Sequence, residues 1–410
     1  MKAVTSFLRK PIASAIVAIA IGFAVAAVVL AAAGYDPAAS FAALFSGALG
    51  KPKYIANVFI KATPILLTGV AVAFAFQTGL FNIGAEGQYI LGTILSSIVG
   101  IMVDLPPIIE IPLVVLSGVL GGALLGAFIG FLKAKFGIHE VITSIMTNWI
   151  MLYLCNFVVG SNTFHKPNST SALPINPSAY TMILPNWKKS PEGMAALDNI
   201  PWLKEVLLKT DLNMGFIVAA IVAVLAGILL ARTKLGFKLR AVGHNKDAAH
   251  FSGINVDRSI ITCMLISGAI CGLAGALNIT GISPHTITLL AAQEGYGFNG
   301  LSVAFIAGCS TVGCIPSSLL FAGLLYGGMT VQQVMGAPSD IINIMIGTIV
   351  FFTALPGITP ILANWIDKRR ASKADALLAA EAASATGDTP REQAAEDLVT
   401  DASNNVEQEA

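Results

Sequence analysis

Residues 233–255 read TKLGFKLRAVGHNKDAAHFSGIN, a basic, polar segment in an otherwise apolar chain. It lies between two hydrophobic stretches, at about 212–231 and 258–281, each near the roughly 20 residues that a helix needs to cross a bilayer. A membrane protein has little reason to build so elaborate a loop unless something docks there. Asn245 suits the N-cap of a helix that begins at Lys246. Asp247 in the first turn suits the positive end of the helix dipole. Ala248 and Ala249 are strong helix formers with minimal side chains, and Gly253 follows as a C-cap. The expectation is about two turns of helix, smooth on the alanine face and flanked by Lys238, Arg240, Lys246 and Arg258. Resting on anionic lipid would need a larger apolar face than this one offers, so the segment reads as a protein-docking element.

The 410 residues are 55% hydrophobic and 11% charged, with mean hydropathy +0.77. Soluble domains carry roughly 25% charged residues, so a soluble globular protein is excluded. In lipid every backbone polar group must be paired internally, which favours helices, and the Gly- and Ala-rich segments lack the dyad alternation of an outer-membrane barrel. The predicted fold is all-α and polytopic. About ten transmembrane helices are expected, at 11–33, 54–76, 85–103, 112–132, 140–160, 212–231, 258–281, 298–314, 316–335 and 341–363. The first follows Lys2, Arg9 and Lys10 and is longer than a signal-peptide core, so it reads as an uncleaved helix. Those cations place the N-terminus in the cytoplasm. The same side then receives Lys133 and Lys135, the 232–257 loop, and Lys368, Arg369 and Arg370, as the positive-inside rule requires. The membrane region is taken as 1–366. Within it, 161–211 forms an outer loop in which Pro174, Pro177, Pro185, Pro191 and Pro201 discourage one long helix. Residues 367–410 read as an acidic, disordered cytoplasmic tail.

Two spans are poor ideal helices. FQTGLFNIGAEGQYILG (76–92) and QEGYGFNGLSVAFIAG (293–308) are glycine-rich and share Phe-Asn followed by glycine. Transporters built from repeats place broken helices around a central site, whereas packing through small residues is the bland alternative. Glu86 admits two readings: an ion-coupling carboxylate, as in a secondary transporter, or an anchor that caps backbone amides of a broken helix beside Gly84 and Gly87. The glycines favour the anchor. Asn82 and Gln88 offer donors and acceptors alike. Thr143 and Thr147 share a helical face with Asn148 beside it, suited either to a neutral solute or to interhelical bonding. Trp149 and Tyr153 are again four apart and either stack on a ring or simply pack. Cys155, Cys263, Cys271, Cys309 and Cys314 show no metal-ligand spacing. There is no GxxxxGK[ST] loop, HExxH or GxSxG, so no enzyme signature and no ATP hydrolysis by this chain.

Asp-Ala-Ala-x-x-x-Gly at 247–253 resembles the Glu-Ala-Ala-x-x-x-Gly coupling motif of bacterial ABC importer permeases, with aspartate in place of glutamate. LRAVGHNKDAAHFSGIN, GLFNIGAEGQ, GLAGALNITG and GYGFNGLSVAFIAG resemble the permease family for branched-chain amino acids, ribose and other simple sugars. FNIGAEGQ, EVITSIMTNWI and GYGFNGLSVA look most like its nucleoside-importing branch, and the length and long outer loop suit the larger of that branch's two paired permeases. The resemblance implies a multi-pass subunit of the bacterial cell membrane. Its implied partners are a second permease in a heterodimer, cytoplasmic ATPase subunits, membrane lipid and an extracytoplasmic substrate-binding lipoprotein, with no nucleic acid. ATP and Mg would sit on the ATPases, with no cofactor on this chain. Asn245, Lys246, Asp247, Ala248, Ala249 and Gly253 would couple to the ATPase. Phe81, Asn82, Glu86, Gln88, Asn148, Phe298 and Asn299 would line the path, the amides bonding ribose or base and the phenylalanines stacking. Import of a sugar or a branched-chain amino acid, or secondary transport through Glu86, are the alternatives.

Overall fold

The computed structural model describes residues 11–184 and 187–354, with isolated positions at 364, 368, 372 and 378. Apart from those positions the acidic tail lies outside the described residues, as do Pro185, Arg369, Arg370 and residues 355–363 of the tenth expected span. By contact density the chain forms two units. One is Gly22–Ala354; the other joins Met1–Ile21 and Leu355–Ala410, and its described part is chiefly the opening turns of the first helix.

Among the described residues regular structure is helical, and β-pairing is confined to isolated bridges. The order is α1 (Pro11–Ala32), α2 (Pro37–Leu49), α3 (Pro52–Gln77), α4 (Ala85–Met102), α5 (Pro107–Phe136), α6 (Glu140–Gly160), α7 (Pro191–Asp198) and α8 (Pro201–Lys209). Then come α9 (Gly215–Arg232), α10 (Lys234–His244), α11 (Lys246–Phe251), α12 (Val256–Gly281), α13 (Tyr296–Ile306), α14 (Cys314–Met335) and α15 (Ser339–Thr353). Proline opens α2, α3, α5, α7 and α8, where a missing N–H leaves no bond unmade. The prolines of the 161–211 loop thus divide it into short helices and irregular chain, as their spacing predicts.

The expected ten membrane-length helices are not all found. Seven described helices are long and apolar enough to cross a membrane: α3, α4, α5, α6, α9, α12 and α14. Four apolar helices are shorter, among them α13, which replaces the expected 298–314 span with eleven residues. The cause is local: Gly295 at φ +85° ends the extended segment before it, and Ala307–Gly313 turn instead of continuing the helix. α2 fills 37–49, which the sequence reading left unassigned, with Asp36 Oδ1 accepting the Ala38 N–H at 2.9 Å.

α3 is the hub and is almost wholly buried within the chain, whereas α9 presents its aliphatic side outward. A helix apolar all round belongs at a core or against lipid, and burial separates the two cases here. α12 packs along α5 through glycines: a Cβ at Gly122 would overlap the Gly268 carbonyl, and one at Gly268 the Gly122 carbonyl. Without a hydrophobic drive between helices in lipid, such close backbone approach supplies the packing.

Both faces of the bundle are recognisable. Lys135 Nζ meets Asp257 Oδ2 at 3.0 Å, and Lys133 pairs with Glu140, so the α5–α6 turn lies on the same side as α10 and α11. The 161–211 loop covers the opposite side. Ala172 N–H donates to Ile287 O (2.8 Å), Ile175 N–H to His285 O (3.0 Å) and Asn176 Nδ2 to Val103 O (2.9 Å). His285 stacks on Tyr180 with ring centroids 3.8 Å apart, and burial holds its imidazole below the usual histidine range.

Candidate functional site: a clamped half-helix and a docking loop

The 232–257 loop folds into two helices rather than the single one expected. Thr233 Oγ1 accepts the Gly236 N–H (3.0 Å) and so caps α10, whose capping threonine the sequence reading passed over. Asn245 Oδ1 accepts the N–H groups of Asp247 and Ala248, each at 3.0 Å, and Gly253 takes φ +79° after α11. Lys246, Asp247 and Ala248 are exposed, whereas Ala249 is buried, so the alanine pair does not form one smooth outer face. Phe251 instead projects into the open, 90% exposed, beside His250. A phenylalanine this bare on a polar loop is unusual, and residue type alone did not reveal its exposure.

Besides packing on α9 and α12, α10 reaches the break that follows α3. Gly243 lies directly against Thr78 and Gly79, where a Cβ on either glycine would meet the other segment's backbone at 2.6–2.7 Å. Residues 78–84 form the break between α3 and α4.

The two glycine-rich breaks meet across this point. Glu86 Oε1 accepts the Gly295 N–H at 2.7 Å and Oε2 the Gly297 N–H at 2.5 Å, so the carboxylate caps α13. At the other end of α13, Gln77 Nε2 donates to Cys309 O at 2.7 Å. Thr68 Oγ1 donates to Tyr296 O at 2.9 Å. The half-helix is thus held at its first turn by Glu86 and Thr68 and just past its end by Gln77, and of these Glu86 and Gln77 flank the first break. Phe76, Phe81 and Phe305 form an aromatic cluster over the same junction, with centroids 5.9–6.5 Å apart.

Four of the residues expected on the path are buried and bonded to protein. Asn82 Nδ2 donates to Gln88 Oε1 and to Ser267 Oγ, both at 2.8 Å, and Ser267 Oγ donates to Ala71 O. Asn148 Oδ1 accepts the Gly87 N–H (2.8 Å), and its Nδ2 donates to Ile83 O (3.1 Å). Together with Glu86 they form one lattice that fixes the break. Thr147 bonds back to Thr143 O. Trp149 and Tyr153 stack on each other at 6.3 Å on an exposed face. Phe298 is 40% exposed and Asn299 half-buried, so these two stand outside the lattice.

A second group near the start of α13 was not singled out from sequence. Glu294 is exposed, and its Oε2 accepts the Tyr89 hydroxyl proton at 3.0 Å. Asn278 Nδ2 donates to the same hydroxyl at 2.7 Å, and Tyr89 lies against Tyr296 with centroids 5.1 Å apart. Among the described residues no three metal-type side chains cluster. What the arrangement offers is hydrogen bonding and ring surface for a solute.

A family model described as the permease component of branched-chain amino acid transport systems matches residues 54–354. The guanosine ABC transporter permease protein NupP of Bacillus subtilis is 35% identical over 83% of this chain and 92% of its own length. The nucleoside ABC transporter permease protein NupB of Lactococcus lactis is 33% identical over 88% of this chain and 94% of its own. A glucose ABC transporter permease protein of Haloferax volcanii is 28% identical over 83% and 86%. No solved structure matches.

Proposed function

The chain belongs to the family of branched-chain amino acid transport system permease components, and from that premise we propose that it is the membrane subunit of an ATP-driven importer of nucleosides. The observation that carries the cargo is its likeness, over most of both chains, to permeases named for guanosine and for nucleosides. The same likeness makes it a permease subunit, and in this reading partner ATPases hydrolyse the ATP. A second permease, a pair of cytoplasmic ATPases and an extracytoplasmic binding lipoprotein complete the machine in this reading.

The 232–257 loop faces the cytoplasm, and α11 inserts Ala248 and Phe251 into an ATPase groove. Motion of α10 then reaches the break at 78–84 through Gly243 and Gly79, and from there the half-helix α13 through Gln77 and Glu86. Because packed elements switch between discrete arrangements, a small displacement at the loop can release or seat α13 as a unit. The termini lie on the cytoplasmic side and the 161–211 loop receives the loaded binding protein.

The test is uptake of radiolabelled guanosine by proteoliposomes holding the whole complex. Uptake is expected to need internal ATP, to stop with vanadate and to persist with an uncoupler. Glucose in excess is expected to leave it unchanged; competition by glucose instead would move the assignment to a sugar, the cargo named for the Haloferax relative. Uptake abolished by the uncoupler at constant ATP would identify an ion-coupled transporter.

A further inference from the structure

Glu294 sits deep in the bundle and yet is exposed. The depth follows from Thr68, which bonds Tyr296 O two residues further on. Thr68 lies within α3 (Pro52–Gln77), about 24 Å from one end of that helix and about 14 Å from the other at about 1.5 Å per residue. A carboxylate at that level does not face hydrocarbon, where a charge is strongly disfavoured; it faces water or a partner group in a cavity. The geometry also fixes its hydrogen bonding. Asn278 Nδ2 donates to the Tyr89 oxygen, so the Tyr89 proton points at Glu294 Oε2. Oε1 accepts from no described residue, and Asn278 Oδ1 beneath the same cluster is buried without a partner. The exposed Phe298 ring follows within one turn.

An open carboxylate oxygen whose neighbour is already oriented calls for a ligand with adjacent donors and no negative charge. We propose that Glu294 is a specificity-determining residue that accepts hydrogen bonds from the vicinal 2′,3′-hydroxyls of ribose as a nucleoside passes, with Phe298 supplying the apolar surface for the base. This rests on the nucleoside reading above. Charge-assisted bonds of this kind are about twice as strong as neutral ones. The same charge repels a phosphate, so nucleotides are refused while free nucleosides pass.

The experiment compares initial uptake of guanosine and 2′-deoxyguanosine by the reconstituted complex with wild-type permease and with Glu294→Gln. Every other subunit is the same in both, so a change in the ratio of the two rates reports this residue and not the binding protein. Guanosine uptake is expected to fall about tenfold in the variant, the loss of a hydrogen bond to a charged group, while uptake of 2′-deoxyguanosine, which keeps only the 3′-hydroxyl, falls less. A structural role would slow both solutes equally, and an unchanged ratio overturns the inference. Glu294→Asp keeps the charge and withdraws it by one methylene; a partial fall in the ratio supports the inference, and no fall with assembly intact counts against it. Should wild-type complex take up neither nucleoside, the functional reading fails and carries this one with it; normal wild-type uptake with an unchanged ratio sinks the inference alone.

Discussion

Glu86 carries more of the architecture than any other single side chain. It is fully buried, and its two oxygens accept backbone N–H groups of Gly295 and Gly297 from a segment more than two hundred residues away. Removing the carboxylate leaves the buried Gly297 N–H without a partner, at about 1–3 kcal/mol, and takes its acceptor from the partly buried Gly295 N–H as well. Glu86→Ala is therefore expected to lower the stability of the purified complex by about 3 kcal/mol, read as a drop in its thermal midpoint, with Glu86→Gln intermediate because one amide oxygen remains. If Glu86→Gln instead abolished uptake with the midpoint unchanged, the ion-coupling reading of this residue would gain and the anchor would lose. From sequence, the isolated carboxylate among glycines was recognisable as an anchor. What it anchors was not, since Gly84 and Gly87 lie beside it whereas the amides it holds come from the other break. Glu294 was equally visible in QEGYGFNG but carried no mark of its own, because its exposure exists only once α13 is folded back against α4 (Ala85–Met102).

At the scale of elements, glycine spacing announced both breaks, and α13 is the half-helix that the second implies. α2 left no such trace: thirteen residues of PAASFAALFSGAL are too short for a span and too apolar for a loop. α10 was hidden for a different reason, since TKLGFKLRAVGH mixes charge with a glycine at its third residue, and Gly236 is required there by contact with the Leu229 and Leu230 carbonyls. The docking element sharpens into a prediction. Phe251→Ala is expected to reduce co-purification of the ATPase with the permease severalfold while leaving the permease's own thermal midpoint within about 0.5 kcal/mol, as for an exposed site. Ala248→Trp should block docking in the same way, whereas Ala249→Trp should unfold the loop, because Ala249 is buried within this chain. Equal recovery of ATPase with all three variants would remove α11 as the attachment point.

Within Gly22–Ala354 the helices gather around α3, with the α5–α6 turn and the 232–257 loop on one side and the 161–211 cap on the other. Hydropathy and loop charge disclosed that layout, since they depend on composition averaged over long segments; the crossing made by an extended stretch and a half-helix depends on one glycine backbone angle and escaped the average. Sidedness is the property on which the proposed machine stands or falls, because ATPases reach only one face. The five cysteines are all buried, which leaves the native chain a quiet background for thiol labelling. Lys166 in the 161–211 cap and Phe251 in α11 are both exposed and lie on opposite faces. With the permease expressed alone, Lys166→Cys is expected to react with a membrane-impermeant maleimide in intact cells, and Phe251→Cys only after the membrane is opened. Co-expression with the ATPase should then shield Phe251→Cys from the reagent even in opened membranes, since a docked helix end loses its access to solvent. Labelling of Phe251→Cys from outside intact cells would invert the chain and leave the docking loop on a side without ATP.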